Sequence, residues 1–153
     1  EFVREAVQKM SRGDELFWCL RLKSRPEETI GVISYRPAAG ADGNRGFWLA
    51  EHLHGQGLMT EAVEVFQDYL FFNLEVDTII VGNAIDNTAS RRVKEKTGAT
   101  LISPGVLMHR NGEDRTERWE VTRGNWAKLR GRALDEESPG EVDAPSAPPD
   151  QGC

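Results

Sequence analysis

Residues 46–62, GFWLAEHLHGQGLMTEA, pass from a short apolar strand through a glycine-punctuated turn into helical composition. Gly55 and Gly57 stand where the helix begins, a place where glycine weakens helical structure. A helix start leaves backbone N–H groups unpaired and partly positive, which suits an anion. Glycine also lets a bulky anion approach without a Cβ in the way. Two readings of HGQGLM therefore stand side by side. It is either a cradle for a pyrophosphate or only a tight strand-to-helix turn. The chain has no GxxxxGK[ST] motif and no GxGxxG after a strand, so a phosphate site here is of neither common nucleotide type.

The rest of the chain supplies a frame for that unit. EFVREAVQKM sets Phe2, Ala6, Val7 and Met10 on one helical face. ELFWCLRLK and TIGVISYR are predicted strands, and GFWLA is a third. From Gln56 to Phe72 the residues Leu58, Ala62, Phe66, Tyr69 and Leu70 keep a helical stripe. VDTIIVG is almost continuously apolar and predicts a strand buried on both faces. DNTAS caps a further helix, which Gly98 ends at its C′ position. ATLI, GVLMHR and DRTERWEVT are predicted strands, the last two joined through Asn111-Gly112, a hairpin turn signal. This order predicts an α+β domain: a mixed, mostly antiparallel twisted sheet with flanking helices.

With 153 residues, one domain is expected. Its formal net charge of −6 is unevenly spread. Residues 132–153 hold one basic and six acidic side chains, which leaves residues 1–131 at −1. The domain is thus predicted over 1–131 and an acidic, Pro/Ala-rich disordered tail over 132–153. A near-neutral body without a basic stripe argues against nucleic acid as a partner. No apolar run is long enough for a membrane span, and no signal-peptide layout opens the chain. Cys19 and Cys153 suggest neither a disulfide framework nor a metal site, and His52, His54 and His109 lack metal-ligand spacing. A cytoplasmic protein is the default expectation. The chain opens inside a helix without an initiator Met, so an element before that helix is expected to be missing.

Three blocks in order carry a family resemblance. GFWLAEHLHGQGLMTEA resembles the strand, phosphate loop and helix of the Gcn5-related N-acetyltransferase (GNAT) superfamily, whose loop reads [Q/R]-x-x-G-x-[G/A]. NAIDNTASRRVKEKTGA is similar to its N-x-x-S-x-x-V-x-x-K-x-G-[FA] segment. ERWEVTRGNWAKL is similar to the closing strand of the subgroup that acetylates ribosomal-protein N-termini, and of related spermidine and antibiotic enzymes. The blocks span about residues 29 to 130. The resemblance implies an acyl-CoA N-acyltransferase fold and acetyl-CoA as co-substrate, with no metal. It also implies a peptide N-terminus or a small amine as acceptor, no nucleic acid or membrane partner, and a monomer or homodimer.

Site residues follow from the resemblance. His54, Gly55, Gln56, Gly57, Leu58, Met59 and Thr60 would form the pyrophosphate loop, and Leu49 and Ala50 would pair through their backbone with the pantetheine arm. That arm would lie where the third strand and VDTIIVG splay apart. Asn87 would hydrogen-bond the arm or a nearby water, or else cap its helix. Ser90 would sit near the thiol and protonate the departing thiolate, or else satisfy backbone groups. Departures accompany these matches. His54 replaces Gln or Arg, Met59 replaces Gly or Ala, and Lys94 stands where many members carry a tyrosine acid. Asn44-Arg45 replaces the Glu that often opens the strand before the loop, and Glu51 reads as an exposed capping residue.

Direct transfer needs no enzyme nucleophile, because alignment of amine and thioester supplies much of the acceleration. A backbone N–H can polarise the carbonyl. An α-amine, with a pKa of about 8, needs less help from a base than a lysine near 10.4. An acetyl-CoA-dependent N-acetyltransferase acting on protein N-terminal α-amines is therefore expected. A small-amine acetyltransferase and a non-catalytic acyl-CoA-binding module are the alternatives. Trp18, Trp48, Trp119 and Trp126 could line an acceptor site, although strand alternation makes Trp48 and Trp119 core residues. Arg91, Arg92, Lys94 and Lys96 read as a solvated face, or as cations for the 3′-phosphate of coenzyme A.

Overall fold

A computed structural model describes residues 2–109 and 112–134. The helix α1 (Phe2–Arg12) precedes β1 (Leu16–Leu20), β2 (Gly31–Tyr35) and β3 (Arg45–Leu49). Then come α2 (Leu58–Phe72), β4 (Thr78–Ala84), α3 (Thr88–Lys96), β5 (Thr100–His109), β6 (Gly112–Thr122) and α4 (Arg123–Leu129). The strands form two antiparallel three-stranded sheets, ordered β1-β2-β3 and β4-β6-β5. The α+β expectation holds.

The two sheets meet at one residue before β3. Asn44 donates its backbone N–H to the Ile80 carbonyl at 2.8 Å, and its Oδ1 accepts the Ile80 N–H at 2.9 Å. Beyond that junction no ladder joins β3 to β4 among the described residues. A gap therefore opens toward the ends of both strands.

Helix α2 closes one face of both sheets. Its Val63, Phe66 and Leu70 pack with Ile33 and Tyr35 from β2, Ile79 and Val81 from β4, and Trp119 and Val121 from β6. The stripe forms because apolar residues three and four apart share one helical face. Asn87 caps α3, its side chain accepting the Ser90 N–H at 2.9 Å, and Gly98 follows that helix with φ +77°, as its C′ position predicts.

Four expectations need correction or fall outside the structure. β4 is buried on one face only, through Ile79 and Val81, because one of its edges borders the gap and helices cover one side. It is β2 that is buried along its whole length. The predicted strands ATLI and GVLMHR fall in one strand as far as His109, β5, irregular between Leu101 and Ser103 where the register shifts. β6 ends at Thr122, where the predicted strand DRTERWEVT ends, but the rest of the block ERWEVTRGNWAKL is helix: the Thr122 hydroxyl accepts the Asn125 N–H at 3.2 Å and starts α4. That helix seats Trp126 in the core, with its indole N–H on Asp68 at 2.9 Å. The Asn111 half of the predicted turn, and all but residues 132–134 of the predicted tail, lie outside the described residues.

Candidate functional site

A cavity of about 400 Å³ opens beside the end of β3. β3 contributes Phe47, Trp48 and Leu49, the loop contributes His54, Gly55 and Gly57, and α2 contributes Leu58, Met59 and Thr60. The far wall is Asn87 and α3, with Ser90, Arg92 and Lys96. Nine of the eleven residues expected from sequence line this one space, whereas Ala50 and Gln56 do not.

The loop answers the question that its glycines raise. Gly57 is the N-cap of α2 at φ +81°, a conformation that L side chains resist, so the turn itself needs a glycine. The position is also open, for a Cβ added at Gly55 or Gly57 would meet no atom within 4 Å. No side chain caps α2, which leaves the first N–H groups of the helix without a capping acceptor, on residues that line the cavity. The tight-turn reading holds, and the space beside the glycines leaves the cradle reading compatible with the same turn. It is tight, and it leaves room for an anion.

Ala50 is corrected as a partner for an extended chain. Its N–H donates to the Ile30 carbonyl at 2.8 Å and its carbonyl accepts from Leu53 at 2.9 Å. By the alternation of an antiparallel ladder, Phe47 and Leu49 then turn their backbone groups toward the gap. The Leu49 carbonyl accepts the His54 ring N–H at 2.9 Å, so His54 braces the end of β3. The Gln56 amide reaches the His52 carbonyl at 3.4 Å instead of the cavity. Trp48 is corrected too. It is 50% exposed and forms cavity wall, because Phe47 and Leu49 take the face of β3 that packs on the core.

The basic row on α3 is not one solvated face. Arg91 is tied to the buried Glu117 of β6, through Nε at 3.0 Å and a second contact from Nη2. Arg92 and Lys96 turn to the cavity. Lys94 is only 1% exposed and donates from Nζ to Ser90 Oγ at 2.6 Å. Burial, reinforced by the Arg45 charge and opposed by Glu117, lowers the pKa of Lys94 to about 7. Arg45, 5% exposed, is held by Gln67, which in turn donates to the Thr97 carbonyl at 3.1 Å. Burial brings Arg45 down to about 10. Both cations sit over the ring of Phe47, Arg45 at 5.9 Å and Lys94 at 5.7 Å from its centroid. A cation there is attracted by the face of the ring. Sequence reasoning missed this buried pair.

Residues 1–100 match the family described as the Acetyltransferase (GNAT) domain. The chain belongs to the GNAT acetyltransferase family. A putative ribosomal N-acetyltransferase from Bacillus subtilis, YdaF, is 34% identical over 53 residues, which are 35% of this chain and 29% of that relative. Among solved structures, the ribosomal-protein-S5-alanine acetyltransferase of Vibrio fischeri superposes with a TM-score of 0.69 at 18% identity, covering 80% of this chain and 69% of the other. A mutant form of the spermidine N-acetyltransferase SpeG from Vibrio cholerae gives 0.69 at 13%, covering 83% and 76%. The microcin C7 self-immunity acetyltransferase MccE, bound to acetyl-CoA and AMP, gives 0.65 at 19%, covering 79% and 68%. At these identities the structural likeness is one of GNAT fold. Its members act on unlike amines, so the fold leaves the acceptor open. Among the described residues of this GNAT domain, no group of three or more His, Cys, Asp or Glu gathers as a metal site would require. No described helix is long and apolar enough to cross a membrane.

Proposed function

We propose that this chain transfers the acetyl group of acetyl-CoA directly to a primary amine, a protein N-terminal α-amine being the acceptor class. The observation that carries the reading is the cavity itself. Uncapped N–H groups of α2, the cations Arg92 and Lys96, the free edge of β3 and the Ser90 hydroxyl all border one space. Each meets a different chemical need of the donor. Helix N–H groups and the Thr60 hydroxyl suit a pyrophosphate, with Gly55 and Gly57 giving access. Arg92 and Lys96 suit a terminal phosphate. The Phe47 backbone and the Leu49 N–H suit an amide-bearing chain added as a strand, while the Leu49 carbonyl is taken by His54. Asn87 keeps its amide N–H₂ after its oxygen has capped α3. Ser90 can give a proton to a departing sulfur.

The α-amine preference rests on what the wall lacks. Among the described residues no carboxylate borders the cavity, and Asn44, at the position where relatives often carry Glu, is spent on joining the sheets. An acceptor that is already partly neutral at pH 7 asks least of such a site. The same absence is a poor match for a polycation such as a polyamine.

The test offers acetyl-CoA with three acceptors: peptides with a free N-terminus and no lysine, the same peptides N-terminally blocked, and spermidine. Acetylation of the free peptides alone is expected, read by mass spectrometry. Acetylated spermidine with untouched peptides would transfer the reading to small amines. A chain that binds acetyl-CoA and acetylates none of them is a binding module.

A further inference from the structure

We propose that Lys94 is a positioning residue, aiming the Ser90 hydroxyl at the sulfur of coenzyme A and returning the proton that Ser90 gives up. This rests on the acetyl-CoA reading above.

The geometry makes the first argument. An ammonium has donors and no lone pair, so Ser90 Oγ must accept the 2.6 Å hydrogen bond from Lys94. The hydrogen of Ser90 itself is then left for another acceptor. Among the described residues it has none, although a serine inside a helix commonly bonds back to the preceding turn. The Ser90 backbone is fixed by Asn87, and the residue borders the cavity. A hydroxyl whose oxygen is engaged from the protein side thus offers its proton to the open side.

The second argument is what Lys94 lacks. Buried ammonium groups are normally matched by a carboxylate. The groups facing Lys94 are Arg45 from β3, the Phe47 ring and Glu117 from β6, and Glu117 is already bonded to Arg91 and Asn83. Among the described residues, Ser90 is the hydrogen-bond partner of the Lys94 ammonium. A cation buried next to a second cation gains little stability from this arrangement. It does lower the pKa of Lys94 to about 7, which brings release of its proton within reach at neutral pH.

The step balances. As the acceptor nitrogen bonds the carbonyl carbon, the C–S bond breaks and its electron pair goes to sulfur. The Ser90 proton moves to that sulfur, and a Lys94 proton moves to Ser90 Oγ. The surplus proton of the acceptor nitrogen leaves to water. After the thiol departs, water in the emptied cavity returns a proton through Ser90 to Lys94.

The test needs no acceptor. Coenzyme A is bound to the full chain, and its thiol is titrated by thiolate ultraviolet absorbance, with calorimetry on the same samples. In the wild type the bound thiol is expected to ionise at least ~10-fold more readily than the free thiol, since Ser90 donates to the anion and the thiolate and the Lys94 ammonium stabilise one another as a coupled pair. Lys94→Met and Ser90→Ala should each remove most of that gain while coenzyme A affinity stays within about threefold. Lys94→Gln, which keeps a donor for Oγ without the charge, should fall between; it serves as the probe if the methionine variant melts at room temperature. A bound thiol that titrates like free coenzyme A in the wild type overturns the proposal, as does an unchanged titration in the Lys94 variants. Failure of coenzyme A to bind the wild type would appear in the calorimetry and would defeat the acetyl-CoA reading itself.

Discussion

Lys94 Nζ lies 2.6 Å from Ser90 Oγ, one helical turn apart on α3, with the lysine inside the protein and the serine at the cavity wall. One hydrogen bond thus connects a buried cation to the space where chemistry is proposed.

Stability should carry the mark of that burial. The folded-state pKa of Lys94 is lowered from the ordinary 10.5 to about 7. Between those values the unfolded chain binds a proton that the folded chain has shed, so stability rises with pH across about 7 to 10.5. The burial cost is fully present below about 7. Lys94→Met should flatten this rise and stabilise the protein at pH 6 by about 1–4 kcal/mol. Urea midpoints from pH 6 to 10 decide it, and a wild type whose midpoint does not rise speaks against a buried ammonium.

Gln67 should matter more than its neutral side chain suggests. Its oxygen accepts from Arg45 and its amide N–H₂ donates to the Thr97 carbonyl, all of it buried. Gln67→Leu strands the guanidinium and should cost about 3–5 kcal/mol. Replacing Arg45 and Gln67 together by Met and Leu should cost far less. Thermal melts of Gln67→Leu, Arg45→Met and the double variant give the comparison, and additive losses would contradict a coupled pair.

Glu117 predicts the acid limb. Burial alone would raise its pKa, but hydrogen bonds from Asn83 and Arg91 and the Arg91 charge together hold it below the ordinary carboxylate value. A depressed carboxylate contributes stability above its unfolded pKa and loses it as pH falls through the folded one. Glu117→Gln should therefore be destabilised at pH 7 and converge on the wild type in acid. Denaturation midpoints at descending pH check the convergence.

Arg92 and Lys96 should act on affinity alone. Truncating either to Ala should weaken acetyl-CoA by about 3- to 10-fold, and less at high salt, as expected of exposed charge contacts. If they meet the 3′-phosphate, dephospho-CoA should bind the wild type and both variants alike. Equal losses with both ligands would move the contact to the pyrophosphate.

What was legible in the sequence was what local periodicity encodes. The apolar stripe of α2, the Asn87 cap and Gly98 each follow from spacing within a few residues, and the structure forms them there. What escaped depends on which side a neighbour covers. Lys94 reads as one of four basic residues in a row. Yet Lys94 and Thr97, both buried, fall at i+4 and i+7 from Ser90 at the cavity wall, a spacing that made their shared face readable. Strand alternation set Trp48 opposite Phe47 without saying which face met the core. Ala50 was one residue out of phase, because ladder alternation depends on a register that only β2 supplies. Helix α4 was hidden because a short segment after a strand has too few turns to show a period.

The most direct measurement is a calorimetric titration of acetyl-CoA into the wild-type chain and into Gly57→Trp, with folding of both checked by thermal melt. The indole would enter the open space above the first turn of α2, where no protein atom lies within 4 Å of an added Cβ. Micromolar binding by the wild type, lost in the folded variant, is the expected result. A folded wild type that does not bind acetyl-CoA, or a folded variant that binds it equally well, would contradict the account.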